Sequence, residues 1–149
     1  MRLPFFGRPA ALARILLVDD DPSILETTEF VLKKEGFEVR TAKNGEEGLK
    51  VLETYEADVV IADIMMPKKN GLEMLAEIRR NPIWRKKAVM LLTARRQSED
   101  VLQGYTAGAD CYLTKPFQKD QLISSVKSIL AAVQEERDEK GRMRRIVDQ

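Results

Sequence analysis

The sequence has no histidine and a single cysteine, Cys111. The first absence removes the commonest general base, the commonest zinc ligand and any self-contained phosphohistidine chemistry. The second removes an internal disulfide framework and suits a reducing cytoplasm, the compartment expected here. An excess of one charge is also lacking. The 25 lysines and arginines against 24 aspartates and glutamates leave a net charge of +1. Bulk electrostatics therefore give no reason to expect direct nucleic-acid binding or attachment to an anionic membrane. No apolar run is long enough to cross a bilayer. Leu3-Pro4-Phe5-Phe6 and Ala10-Ala11-Leu12-Ala13 loosely mimic a secretory leader, but Gly7-Arg8-Pro9 interrupts them. The apolar region of a leader is continuous over about 7–15 residues. Residues 1–13 are read instead as a flexible lead-in. The 149 residues fit one domain with a real core and little room for a second.

What is present is an alternation of short apolar runs with longer amphipathic stretches. Ile15–Val18 suits a strand buried on both faces. Asp21-Pro22 reads as an N-cap followed by proline at the first helical position, with Gly36 ending that helix. Phe37–Thr41 is a short strand, and Asn44 to Glu47 a capping box opening a helix through about Glu53. Strands are then expected at Asp58–Asp63, Ala88–Leu92 and Cys111–Thr114. Helices are expected at Gly71–Arg79, from Ser98 to about Ala107, and from about Lys119 to Val133. Five βα units in succession predict an α/β fold. It is a flavodoxin-like (βα)5 arrangement, a doubly wound parallel five-stranded sheet in three layers. The domain spans residues 14–133. Residues 134–149 form a charged C-terminal tail or helical extension, with Glu136–Lys140 and Asp138–Arg142 as helix-compatible pairs and Gly141 weakening the continuation.

Ligands of such sheets bind beyond the carboxyl ends of the strands. Those ends carry Asp19-Asp20-Asp21, Asp63, Thr93-Ala94 and Thr114-Lys115-Pro116. Crowded carboxylates repel one another unless a cation intervenes. Acids without histidine or paired cysteine suit a hard ion, Mg²⁺ or alternatively Mn²⁺. An acid beside such an ion, an ammonium and a hydroxyl is equipped for phosphoryl transfer. Taken singly, Asp21 is an N-cap, Asp63 a turn cap and Lys115 a solvated lysine. Their convergence on one rim favours a shared site.

Over roughly residues 14–133 the sequence resembles bacterial response-regulator receiver domains of two-component systems. The resemblance rests on Ile15–Asp21, Asp63-Ile64-Met65-Met66-Pro67 with Gly71-Leu72, Leu92-Thr93-Ala94, Gly108-Ala109-Asp110 and Tyr112–Phe117. It implies that Asp63 accepts a phosphoryl group from a histidine kinase or histidine phosphotransfer protein in a phosphorelay. Asp20 would bind Mg²⁺ directly and Asp19 mostly through water. Asp63 and the backbone carbonyl of Met65 would complete the metal's protein ligands. Thr93 would hydrogen-bond the phosphoryl group and Lys115 would pair with it, with Lys115-Pro116 a cis peptide. Tyr112 would turn inward on activation as Thr93 is drawn to the phosphate. That would alter the surface made by the helix after Ser98, the fifth strand and the last helix. The family is a phospho-acceptor rather than an enzyme, apart from self-catalysed phosphorylation and dephosphorylation. Its reader would be a downstream protein or an output domain outside this chain, with a phosphorylation-dependent homodimer as a further option.

Met65 and Arg95, at positions variable in the family, would tune dephosphorylation. An apolar Met65 cannot orient water, and Arg95 would cover the phosphate. A haloacid-dehalogenase-type phosphatase would also use Asp-x-Asp after the first strand. Here Pro22 starts a helix at once, and nothing is long enough to be a cap. A flavodoxin would share the fold but not this acid cluster at its cofactor site.

Overall fold

The computed structural model describes residues 13–94 and 108–147, with the backbone alone for Arg137 and residues 140–147. Strands β1 (Arg14–Val18), β2 (Glu38–Ala42), β3 (Val59–Asp63), β4 (Ala88–Thr93) and β5 (Cys111–Thr114) form one parallel sheet in the order β2-β1-β3-β4-β5. Four helices lie among the described residues: α1 (Pro22–Lys34), α2 (Gly45–Leu52), α3 (Gly71–Arg80) and α4 (Lys119–Val147). The helix expected from Ser98 to Ala107 lies outside the described residues, and so does Arg95.

The central strands β1, β3 and β4 are buried on both faces, Arg14 aside, because their alternate residues enter two different cores, while the edge strands β2 and β5 are partly open. Ile15, Leu17, Val59, Ile61, Met90 and Leu92 face one layer with Leu32 of α1 and Leu122, Val126 and Ile129 of α4. Leu16, Val18, Val60, Ala62, Val89 and Leu91 face the other, with Leu52 of α2 and Met74, Leu75 and Ile78 of α3. This is the expected doubly wound, three-layer arrangement. The chain leaves β1 toward β2 on one side and returns to β3 on the other. The strand order therefore reverses between β1 and β3, which opens a crevice at their carboxyl ends.

Helix starts follow the sequence closely. The Asp21 side chain accepts from the Ser23 and Ile24 amides, capping α1 at Pro22. The capping box expected at Asn44 is only half made. Asn44 accepts from the Glu47 amide, but the Glu47 carboxylate accepts from Lys43 rather than from Asn44. A complete box stands instead at α3, where Asn70 and Glu73 exchange both bonds.

Of the two expectations for residues 134–149, a charged tail or a helical extension of the last helix, the structure has the extension: α4 runs through Gly141 to Val147. Apolar periodicity stops at Val133, but glutamates, lysines and arginines are good helix formers. Gln134 also donates to Asp138 one turn on. Among the described residues no helix is long and apolar enough to cross a membrane.

Candidate functional site

The four strand ends meet at the crevice between β1 and β3. One carboxylate oxygen each from Asp19, Asp20 and Asp63 lies within 4.8 Å of the others. Asp19 is buried at 1 % exposure, and both its oxygens are engaged. One accepts from the Asp21 amide at 3.0 Å, the other from Lys115 Nζ at 2.8 Å. Asp20, its sequence neighbour, is exposed yet brings a carboxylate oxygen into the same cluster, so one acid sits in the wall of the crevice and one at its mouth. Asp63 is buried at the end of β3, and its carboxylate lies 3.3 Å from the same Lys115 ammonium.

The electrostatics follow from this crowding. Burial pushes the Asp63 carboxyl above the usual carboxylate range. The charge of Asp19 adds to that, while Lys115 and the Met65 amide, which hydrogen-bonds the carboxylate, oppose it. For Lys115, burial works against the charged form. Its hydrogen bond to Asp19 and the charges of Asp63 and Asp19 outweigh burial and raise its pKa, so it stays cationic. The adjacent acids therefore do meet a cation, and it is supplied by the far end of the chain.

Two glycines fix the loop that presents Asp63. A Cβ on Gly71 would lie 2.4 Å from the Asp63 carbonyl oxygen, and one on Gly45 would lie 2.6 Å from the Lys69 carbonyl oxygen. Gly71 N–H closes on the Ile64 carbonyl at 3.1 Å, and Gly45 N–H on that of Lys69 at 2.9 Å. Residues 64–70 are thereby clamped between β3 and the start of α2, and Lys69 pairs with Glu77 of α3. Sequence patterns place Gly45 in a cap and Gly71 at the start of a helix, and give no sign of the close backbone approach at either. The available signal is a glycine at the first position of two successive helices.

Thr93, at the end of β4, is buried beside β3. Tyr112 is half-buried and packs on the α2–α3 side of the sheet. Met65 is 68 % exposed. The Lys115-Pro116 peptide is cis, and the Lys115 amide donates to the Thr93 carbonyl at 2.6 Å.

At the opposite end of the sheet lies a cluster that sequence patterns do not reveal. The Arg79 guanidinium donates to the carbonyls of Gly108 (2.7 and 2.9 Å), Arg85 (2.9 Å) and Lys87 (2.7 Å), and to Asp110 Oδ2 at 3.0 Å. Asp110 also accepts from the Val89 amide at 2.8 Å. The acceptors of Arg79 are mostly backbone carbonyls, which leave no mark on a sequence.

This fold and rim are those of a receiver domain, and the comparison with known families agrees. The model of the response regulator receiver domain matches residues 15–127. The chain belongs to that family, whose general function is to accept a phosphoryl group on an aspartate. It is 38 % identical over 117 residues to PhoP of Bacillus subtilis, the alkaline phosphatase synthesis transcriptional regulatory protein, covering 78 % of this chain and 48 % of PhoP. It is 37 % identical over 117 residues to the cell cycle response regulator CtrA of Brucella ovis, covering 78 % and 50 %. The chain thus spans about half the length of these curated relatives. Among solved structures it resembles a CheY-like receiver domain protein from Methanospirillum hungatei, at a TM-score of 0.79 and 32 % identity over 84 % of this chain and 98 % of the other. It also resembles CheY4 of Vibrio cholerae, at a TM-score of 0.76 and 30 % identity over 79 % and 98 %.

Proposed function

We propose that Asp63 is the phospho-acceptor of this receiver domain and that it works with Mg²⁺ held at the rim. The observation that carries this reading is the convergence of Asp19, Asp20 and Asp63 within 4.8 Å at the strand-order reversal, with Lys115 bridging Asp19 and Asp63. The donor set is all carboxylate oxygen, which fits Mg²⁺ and accommodates Mn²⁺. Exposed Asp20 would hold the ion directly. Asp19, already committed to Lys115 and the Asp21 amide, would act through water. Asp63 and the Met65 carbonyl would be the other protein ligands. When bound, the ion supplies charge neutralisation to the transferring phosphoryl oxygens.

The residues divide the work as follows. A carboxylate oxygen of Asp63 attacks phosphorus in line. The bond from phosphorus to the donor's imidazole nitrogen breaks, the imidazole leaves, and an acyl phosphate forms. Lys115 shifts from the Asp63 carboxylate to the new phosphoryl oxygens without losing its contact with Asp19. The Thr93 hydroxyl donates to the phosphoryl group, and Tyr112 turns into the space vacated. That carries the change to the surface read by a downstream protein or an output domain. The exposed, apolar Met65 offers nothing to orient a hydrolytic water, so the acyl phosphate persists. The donor is a histidine kinase or histidine phosphotransfer protein in a cytoplasmic phosphorelay.

The test is incubation with Mg²⁺ and a small-molecule phosphodonor. Intact mass should rise by one phosphoryl group, and Asp63→Asn should abolish the gain. Unchanged labelling of Asp63→Asn would remove the assignment. Thr93→Ala should still label, while amide shifts near Tyr112 on adding a beryllofluoride mimic should shrink.

A further inference from the structure

Helix α4 has two halves with different surroundings. Leu122, Val126, Ile129 and Val133, spaced at four, three and four residues, lie against the sheet and α1. Val133 is the last residue of α4 packed on the described core. From Gln134 the helix continues to Val147, roughly 20 Å further at 1.5 Å per residue. Gln134, Glu135, Glu136, Asp138 and Glu139 all lie on the solvent side of the core boundary. A short polar stretch of helix is marginal on its own, and one that persists invites a partner.

The sequence of this stretch is segregated. Glu135, Glu136, Asp138 and Glu139 come first, against Arg137 alone. Lys140, Arg142, Arg144 and Arg145 follow. Continuing the core spacing past Val133 reaches Glu136, Lys140, Met143 and Val147. The apolar row therefore lapses where the charges are densest and resumes at the helix end. Beside Val133 the surface is open. A groove of about 500 Å³ runs between α4 and the start of β5, lined among others by Lys86, Cys111, Ser128, Ile129, Val133 and Glu136.

We propose that this half of α4 pairs with the same half of a second copy, in antiparallel orientation about a two-fold axis near Lys140. Charge decides the orientation. Parallel pairing would set acids beside acids and bases beside bases. Antiparallel pairing puts Glu135 level with Arg145 of the second copy, Glu136 with Arg144 and Asp138 with Arg142, and leaves the two Lys140 residues at the axis as the one like-charged pair. The same register brings Val147 level with Val133, so the apolar end of each helix meets the open groove of the other copy. The contact is isologous and closes at two copies. It is short and rich in charge, so the dimer is modest in affinity and sensitive to salt. It involves neither the rim nor Asp63 and stands apart from the phospho-acceptor reading.

Sedimentation of the full chain over micromolar to millimolar concentrations tests the pairing. A monomer–dimer equilibrium that weakens with added salt is expected. R142E/R144E/R145E should weaken it roughly tenfold or more, and R142K/R144K/R145K should not. In a C111S background, E136C mixed with R144C should form the crossed disulfide, while R144C alone should form little. A chain monomeric throughout, a dimer indifferent to the charge reversal, or ready self-linking of R144C would each overturn the proposal. The last would mean that the helices run parallel.

Discussion

The two ends of the sheet use the same kinds of residue to opposite effect. At the amino ends of the strands, Asp58 accepts from the Arg14 amide at 2.8 Å, and Asp110 accepts from the Val89 amide and Arg79. These carboxylates close backbone donors that the sheet leaves open. At the carboxyl ends, Asp19 and Asp63 crowd one lysine and Asp20 stands exposed. The acids at the carboxyl ends converge within 4.8 Å of one another, whereas each acid at the amino ends serves a backbone donor of its own strand neighbourhood. Mutual crowding, rather than the mere presence of an acid at a strand end, separates a candidate site from a structural lock.

The contrast can be broken from either end. The largest stability effect is expected at the lock. Arg79→Ala strips its acceptors of a shared charged donor and should cost about 3 kcal/mol in denaturant unfolding, with Asp63 labelling retained. Normal stability in this variant would show that the cluster is ornamental. Addition of Mg²⁺ at about ten times its dissociation constant should stabilise the wild type by about 1.4 kcal/mol, and Asp20→Ala should remove that gain. Equal shifts in both proteins would move the ion elsewhere. Next come the paired amidations. Asp110→Asn should cost about 1 kcal/mol. Asp63→Asn, which relieves an acid that burial already disfavours, should cost nothing or add stability. A smaller effect is expected at Lys87, whose ammonium donates to the Ala57 carbonyl. Burial lowers its pKa from the ordinary 10.5, against the charges of Glu56 and Asp58. Between the folded and unfolded values the unfolded chain binds more protons, so stability rises with pH there. Lys87→Gln should flatten that rise in unfolding measured at successive pH values just below 10.5.

Much of this architecture is legible in the amino-acid sequence. β5 at Cys111–Thr114 and the Asp21 cap lie where the sequence pattern puts them, because a short apolar run and an Asp-Pro step are local signals. The rim is legible because the topology of alternating strands and helices brings strand ends together whatever the packing details. The Arg79 cluster is not, since an arginine aimed at carbonyls looks like any surface arginine. Nor is the Asn70–Glu73 box, which competes with an equally plausible pattern at Asn44. The helix beyond Val133 is legible only as one of two alternatives, a tail or a helical extension. Its signal is charge pairing and propensity, and the apolar period that marks buried helices is absent there.

The central claim is that one rim carboxylate, Asp63, carries the phosphoryl group while its neighbours hold the ion. Borohydride reduction of the phosphorylated protein, followed by peptide mass mapping, tests it directly. Reduction converts an acyl phosphate to the alcohol, leaving homoserine at the acceptor. The account predicts homoserine at Asp63 and intact aspartate at Asp19 and Asp20. Homoserine at either of those two, with Asp63 unchanged, would contradict it.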